Sequence, residues 1–136
     1  MATVQTGKRR ILIVDDEPAV LALMRRILST EDAEILAART GAQALEIARQ
    51  TRLDLVILDV RLPDVSGVEV LRRVRRIDGK LPVIMITSYG SAETVRASMR
   101  LGAFDYFTKP FDNQYVRRVA REALSTRACR LVPSET

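Results

Sequence analysis

The chain has 136 residues, enough for one domain whose core needs neither disulfides nor a structural metal, and 47% hydrophobic with 29% charged residues lies outside the range of disordered chains. Histidine is absent and Cys129 is the only cysteine, which excludes imidazole acid–base chemistry, Ser-His-Asp triads, zinc fingers and intrachain disulfides. Lys and Arg outnumber Asp and Glu by 22 to 17, but the arginine pairs Arg25-Arg26, Arg72-Arg73, Arg75-Arg76 and Arg117-Arg118 are scattered between apolar residues, as on solvated helix faces, and do not form one basic patch for nucleic acid.

Residues 1–8 read as a flexible lead without the basic-then-apolar order of a signal peptide. ILIVD from Ile11 is strand-length and apolar, and Pro18 opens a helix with Val20, Leu21, Leu23, Met24, Ile27 and Leu28 at helical spacing. A more polar run, EILAA from Glu34, follows. Thr40 with Gln43 forms a capping-box pattern ahead of Ala44, Leu45, Ile47 and Ala48. LVILD from Leu55 is the third run, and Ser66 with Glu69 is a second box pattern before Val68, Val70, Leu71, Val74 and Ile77. PVIMIT from Pro82 and FDYFT from Phe104 complete the set, and Asp112 stands where the last helix needs a cap. From Ser125 the periodicity is lost, so the spacing predicts a domain over 9–126 and a tail or linker over 127–136.

Strand and helix thus alternate five times. The first, third and fourth runs are almost continuously apolar, as in strands covered by helices on both faces, which predicts an α/β fold with a doubly wound parallel sheet. The second and fifth runs are expected at its edges.

In such a sheet, ligands bind beyond the carboxyl ends of the strands. Those ends carry Asp15-Asp16, Asp59, Thr87-Ser88 and, after Tyr106, Thr108-Lys109-Pro110. Three carboxylates, a hydroxyl and an ammonium would converge on one edge. Clustered carboxylates repel unless neutralised, and a hard cation such as Mg²⁺, which takes a few carboxylates, waters and a phosphate oxygen, suits this set. Asp59 could then act as a carboxylate nucleophile toward phosphorus, with Lys109 and Thr87 holding the phosphoryl oxygens.

The segments VDDE at Val14–Glu17, LDVRLPDVSG at Leu58–Gly67, MITSYGS at Met85–Ser91 and GAFDYFTKPF at Gly102–Phe111 resemble, in order and spacing, bacterial response-regulator receivers, over roughly residues 8–126. Within that family the sequence is closest to receivers of enhancer-binding transcription activators. The resemblance implies a flavodoxin-like (βα)5 fold with strand order 2-1-3-4-5. It implies Asp59 as phosphoacceptor, Asp16 and Asp59 as direct ligands of Mg²⁺ or Mn²⁺, Asp15 assisting through water, and the Arg61 backbone carbonyl completing the shell. Thr87 would bond the phosphoryl group, Lys109 would pair with it, and Pro110 falls on the family's cis-proline position. Tyr106 matches the switch aromatic that turns inward as Thr87 moves, remodelling the surface of the fourth helix, fifth strand and fifth helix. Arg61 and Tyr89 occupy positions that modulate phosphoryl lifetime. Ser66 and Phe107 depart from the commoner Asp and aliphatic residue.

The partners so implied are a sensor histidine kinase or phosphotransfer protein, a downstream effector protein or domain, and a second copy on phosphorylation, in the cytoplasm and without direct nucleic-acid or membrane contact. A phosphohydrolase would place Asp-x-Asp after the first strand and carry a cap, and a flavin carrier would need a Ser, Thr or Gly-rich phosphate loop where DDEP stands.

Overall fold

The computed structural model describes residues 8–88 and 91–127. Five strands, β1 (Arg9–Val14), β2 (Ala33–Ala38), β3 (Leu55–Asp59), β4 (Val83–Thr87) and β5 (Asp105–Thr108), form one sheet in the order β2-β1-β3-β4-β5. All neighbours pair in parallel, with Leu12 against both Leu36 and Val56, Ile57 against Ile84, and Thr87 against Thr108. The two more polar runs are the edge strands. Helices α1 (Pro18–Ile27), α2 (Gly41–Gln50), α3 (Gly67–Ile77), α4 (Ala92–Arg100) and α5 (Asn113–Thr126) connect and follow the strands.

Strand side chains alternate between two cores. Leu12, Val14, Val56, Leu58, Val83 and Met85 pack with Ala44, Leu45 and Ala48 of α2 and Val70, Leu71 and Val74 of α3. On the other face Ile11, Ile13, Leu55, Ile57, Ile84 and Ile86 meet Met24 and Ile27 of α1 and Val116, Val119, Ala120, Ala123 and Leu124 of α5. Burial of these side chains, each about 1.5–3 kcal/mol for a large aliphatic, sets the register, because a one-residue slip would exchange the two faces. α4 differs from its neighbours: its one fully buried residue is Ser98, whose hydroxyl has no hydrogen-bond partner among the described residues.

Helix starts follow the expected residues with altered detail. Pro18 begins α1, and the Thr40 hydroxyl accepts from Gln43 N, but the Gln43 amide oxygen reaches Arg39 N and not Thr40 N. Ser66 accepts from Val68 N, while Glu69 turns outward to Arg72 and Arg73, so no second box closes. Asp112 accepts from Gln114 N and Tyr115 N. Ser91, whose hydroxyl accepts from Thr94 N, caps α4 and was not foreseen.

Two arginines correct the solvated-face reading. Arg75 is half-buried and donates to the carbonyls of Leu81, Leu101 and Gly102, tying α3 to the end of α4, where Gly102 has φ +83°. Arg117 donates to Ile27 O at 3.0 Å, joining α5 to α1. Arg127, assigned to the tail by periodicity, is buried at the N-terminal end of the sheet, donating to Leu53 O at 2.9 Å and pairing with Asp78. Hydrogen bonds from Arg127 hold the Asp78 carboxyl below its ordinary value. α5 ends at Thr126, and Arg127 just beyond it packs against the sheet; Cys129 and the rest of the expected tail lie outside the described residues.

Replacing Arg127 by Met is expected to destabilise the domain by about 1–3 kcal/mol in urea unfolding at pH 7. Because Asp78 is depressed in the folded state, its share of that difference is complete above about pH 4 and is lost as pH falls through the folded value. A wild-type-minus-variant difference that grew on acidification would contradict this ion pair.

Candidate functional site

The parallel topology brings every strand's carboxyl end to one edge, and the expected residues stand there. Asp15 follows β1, its amide still bonded to Ala38 O at 3.0 Å, and its side chain is wholly buried. Asp59 ends β3 and is 4% exposed. Thr87 ends β4, fully buried, and its carbonyl accepts from Lys109 N at 2.7 Å. That bond sets the start of the turn after β5 from which Lys109 reaches across, and the Lys109–Pro110 peptide is cis.

The Lys109 ammonium lies 3.0 Å from Asp15 Oδ2, 3.0 Å from Asp59 Oδ2 and 3.3 Å from Glu17 Oε1. The second oxygen of each buried carboxylate faces a backbone amide two residues on: Asp15 Oδ1 accepts from Glu17 N at 2.9 Å, and Asp59 Oδ1 from Arg61 N at 3.0 Å. Burial pushes the Asp15 carboxyl up to about 6, the Asp59 charge adding to the rise against the pull of the Glu17 amide and Lys109. Burial works against the charge on Lys109, but its bonds to Asp15 and Asp59 outweigh that and hold the ammonium well above the ordinary lysine value.

Carboxylate oxygens of Asp15, Glu17 and Asp59 lie within 4.8 Å of one another. When ionised, these three exceed the single ammonium by two charges. Hard oxygen donors with a net negative balance, open on one side, fit a divalent cation of the Mg²⁺ type better than a soft metal. Glu17 was not singled out from the sequence; the turn that lets Asp15 accept from Glu17 N folds it back toward Lys109, and its place after two aspartates was the available signal. Asp16 is exposed and lines the cleft of about 300 Å³ with Glu17, Asp59, Arg61, Leu62, Pro63, Ser88 and Lys109, but its carboxylate is outside the close cluster. Tyr89 lies outside the described residues.

Tyr106 sits on β5 opposite Met85, with its ring against the core shared with α2 and α3. Its hydroxyl is buried without a hydrogen-bond partner among the described residues, and burial, with the Asp59 charge behind it, raises its pKa. No described helix is long and apolar enough to cross a membrane.

Residues 11–121 match the family model of the response regulator receiver domain. The chain is 37% identical over 115 residues to sporulation initiation phosphotransferase F of Bacillus subtilis, covering 85% of this chain and 93% of that protein. It is 35% identical to regulatory protein AtoC of Escherichia coli and 36% identical to response regulator protein PilR of Pseudomonas aeruginosa, covering 88% and 89% of this chain. Only 26% and 27% of those two longer proteins are spanned. The crystal structure of a CheY-like receiver domain protein from Methanospirillum hungatei superposes with a TM-score of 0.84 at 32% identity, covering 88% of this chain and 95% of that one. Residue matches and strand order lead to the same place: the chain belongs to the response regulator receiver family, the switches of two-component signalling whose general function is phosphotransfer to an aspartate.

Proposed function

We propose that Asp59 is the phosphoacceptor of this receiver and that the Lys109 ammonium, 3.0 Å from both Asp15 and Asp59, is the feature that carries the assignment. An Asp59 carboxylate oxygen forms the new O–P bond while the P–N bond of a phosphohistidine breaks; the electron pair leaves with the imidazole, which takes a proton. The imidazole belongs to a partner, a sensor histidine kinase or phosphotransfer protein, because this chain has no histidine. Lys109 exchanges its carboxylate partners for a phosphoryl oxygen, and the Thr87 hydroxyl donates to another. The chemistry stays on the protein's own Asp59 and ends when water hydrolyses the acyl phosphate, returning the carboxylate and releasing inorganic phosphate.

Asp15, Asp16, Asp59 and the Arg61 backbone carbonyl would hold Mg²⁺ or Mn²⁺, with Glu17 at the same cleft. Such an ion, when bound, offsets the excess carboxylate charge and polarises the phosphoryl oxygens. The new charge biases a two-state rearrangement through Thr87 and Tyr106 into α4, β5 and α5, the surface that would meet an effector or a second copy. Thin apolar packing of α4 and the hydroxyls of Ser98 and Tyr106, which have no partner among the described residues, support this, since such elements open at the smallest cost. An effector domain joined to the receiver, as the span of AtoC and PilR suggests, a cytoplasmic location and no direct nucleic-acid contact complete the reading.

Acetyl phosphate with Mg²⁺ is expected to add one phosphoryl mass to the wild type and none to Asp59→Ala or to a chelated sample. An adduct that survived Asp59→Ala would reject the assignment. Removing the ammonium with Lys109→Ala is expected to tighten Mg²⁺ binding, because one positive charge leaves the cluster, while slowing phosphorylation by about 100-fold or more. Weaker Mg²⁺ binding in that variant would argue against direct competition for the carboxylates. Tyr106→Phe deletes a buried hydroxyl with no partner among the described residues and should leave stability unchanged or raise it; a loss above about 1 kcal/mol would show that the hydroxyl is bonded.

A further inference from the structure

The loop after Asp59, residues 60–66, forms one wall of the acidic cleft through Arg61, Leu62 and Pro63. Its base is closed by Val60 N on Ile86 O at 2.9 Å, by Gly67 N on Val60 O at 2.7 Å, and by a bridge between Arg61 and Ser66. Gly67 presses on the backbone of the nucleophile itself: a Cβ there would come within 2.2 Å of Asp59 O.

The tip of the loop is held by a different device. Asp64 Oδ1 accepts from Gly41 N at 2.8 Å and Asp64 Oδ2 from Ala42 N at 3.0 Å, so one carboxylate takes the first two free amides of α2. Those bonds hold the Asp64 carboxyl below its ordinary value. Thr40 already caps this helix at Gln43 N, so α2 has its own local start signal, and the acid arriving from 23 residues further along ties the loop to the helix. The approach is close enough to need a glycine, since a Cβ on Gly41 would lie 2.3 Å from Val65 Cγ1 and 2.9 Å from Val70 Cγ2.

We propose that Asp64 is a positioning residue for the phosphoryl-accepting site: clamped on the Gly41 and Ala42 amides, it fixes the 60–66 loop and with it the Arg61 contribution to the cation site beside Asp59. The proposal rests on the assignment of that cation site. Outer groups that orient metal ligands change affinity when removed without touching the ion themselves.

Calorimetric Mn²⁺ titration and thermal unfolding of the metal-free protein would be compared for wild type, Asp64→Ala, Asp64→Asn and Thr40→Ala. Asp64→Ala is expected to weaken Mn²⁺ binding by about tenfold or more. Asp64→Asn, which keeps one acceptor oxygen, should recover part of the loss. Thr40→Ala removes the helix cap without releasing the loop and should lower the unfolding midpoint with affinity unchanged. Wild-type affinity in Asp64→Ala would overturn the proposal, as would an equal loss in Asp64→Ala and Thr40→Ala. If the wild type bound no Mn²⁺ and took no phosphoryl group, the site assignment would fall as well, and the wild-type titration separates that failure from failure of the Asp64 role alone.

Discussion

Two buried carboxylates on adjacent strands share one ammonium, and much of the architecture follows from keeping them there. Asp15 and Asp59 leave β1 and β3, which are directly paired, so the strand spacing of about 4.8 Å brings their charges together whatever the side chains prefer. Burial pushes the Asp15 carboxyl up to about 6, and the neighbouring Asp59 charge adds to the rise. Lys109 lowers the cost of the cluster but does not cancel it. The residual negative charge is what makes the edge receptive to a cation, and it turns the compensating lysine into a group able to change partners.

The position of Lys109 depends in turn on hydrophobic burial far from any charge. β4 lies between β3 and β5, so the lysine's reach is set by the register of three strands, which the alternation of Ile84 and Ile86 with Val83 and Met85 locks to the two helical layers. The final link is polar and local: Lys109 N donates to Thr87 O, placing the ammonium-bearing residue beside the hydroxyl expected to contact the same phosphoryl group. Core packing thus fixes the site's spacing, and backbone bonds at the strand ends fix its direction.

Much of this was legible in the residues. Apolar runs marked each strand to within two residues, the largest miss being β1, which starts at Arg9 and not Ile11, and polar content placed β2 and β5 at the edges, because burial on both faces demands continuous apolar sequence. Asp15, Asp59, Thr87 and Lys109 were recognisable because strand ends in a parallel sheet share an edge. Less legible were groups whose role depends on side-chain reach. Arg75 and Arg127 carry the same guanidinium as the solvated arginines, yet both end on backbone carbonyls of other elements, and periodicity alone cannot distinguish a stem that turns inward from one that turns out. Glu17 and Asp64 were missed for a related reason: each acts through a turn or a distant helix amide and not through its position in a strand.

Compensation at the acidic edge and weak packing at α4 belong to one design. A phosphoryl group brings about 1.5 to 2 negative charges, large locally, but able to move an equilibrium only by the difference in interaction between two arrangements. Moving a population from mostly one state to mostly the other takes about 5.5 kcal/mol of such difference. Helices α1, α2, α3 and α5 bury two to five apolar side chains each, so displacing any of them costs more than displacing α4. α4 offers a fully buried serine next to a strand that carries Tyr106, and neither hydroxyl has a partner among the described residues. Its far end is held by Arg75 on Leu101 and Gly102. On these grounds the α4 end nearest Thr87 would be the cheapest to move, in keeping with the relay proposed through Thr87 and Tyr106, because the apolar side chains that hold the site rigid are unequally distributed among the helices.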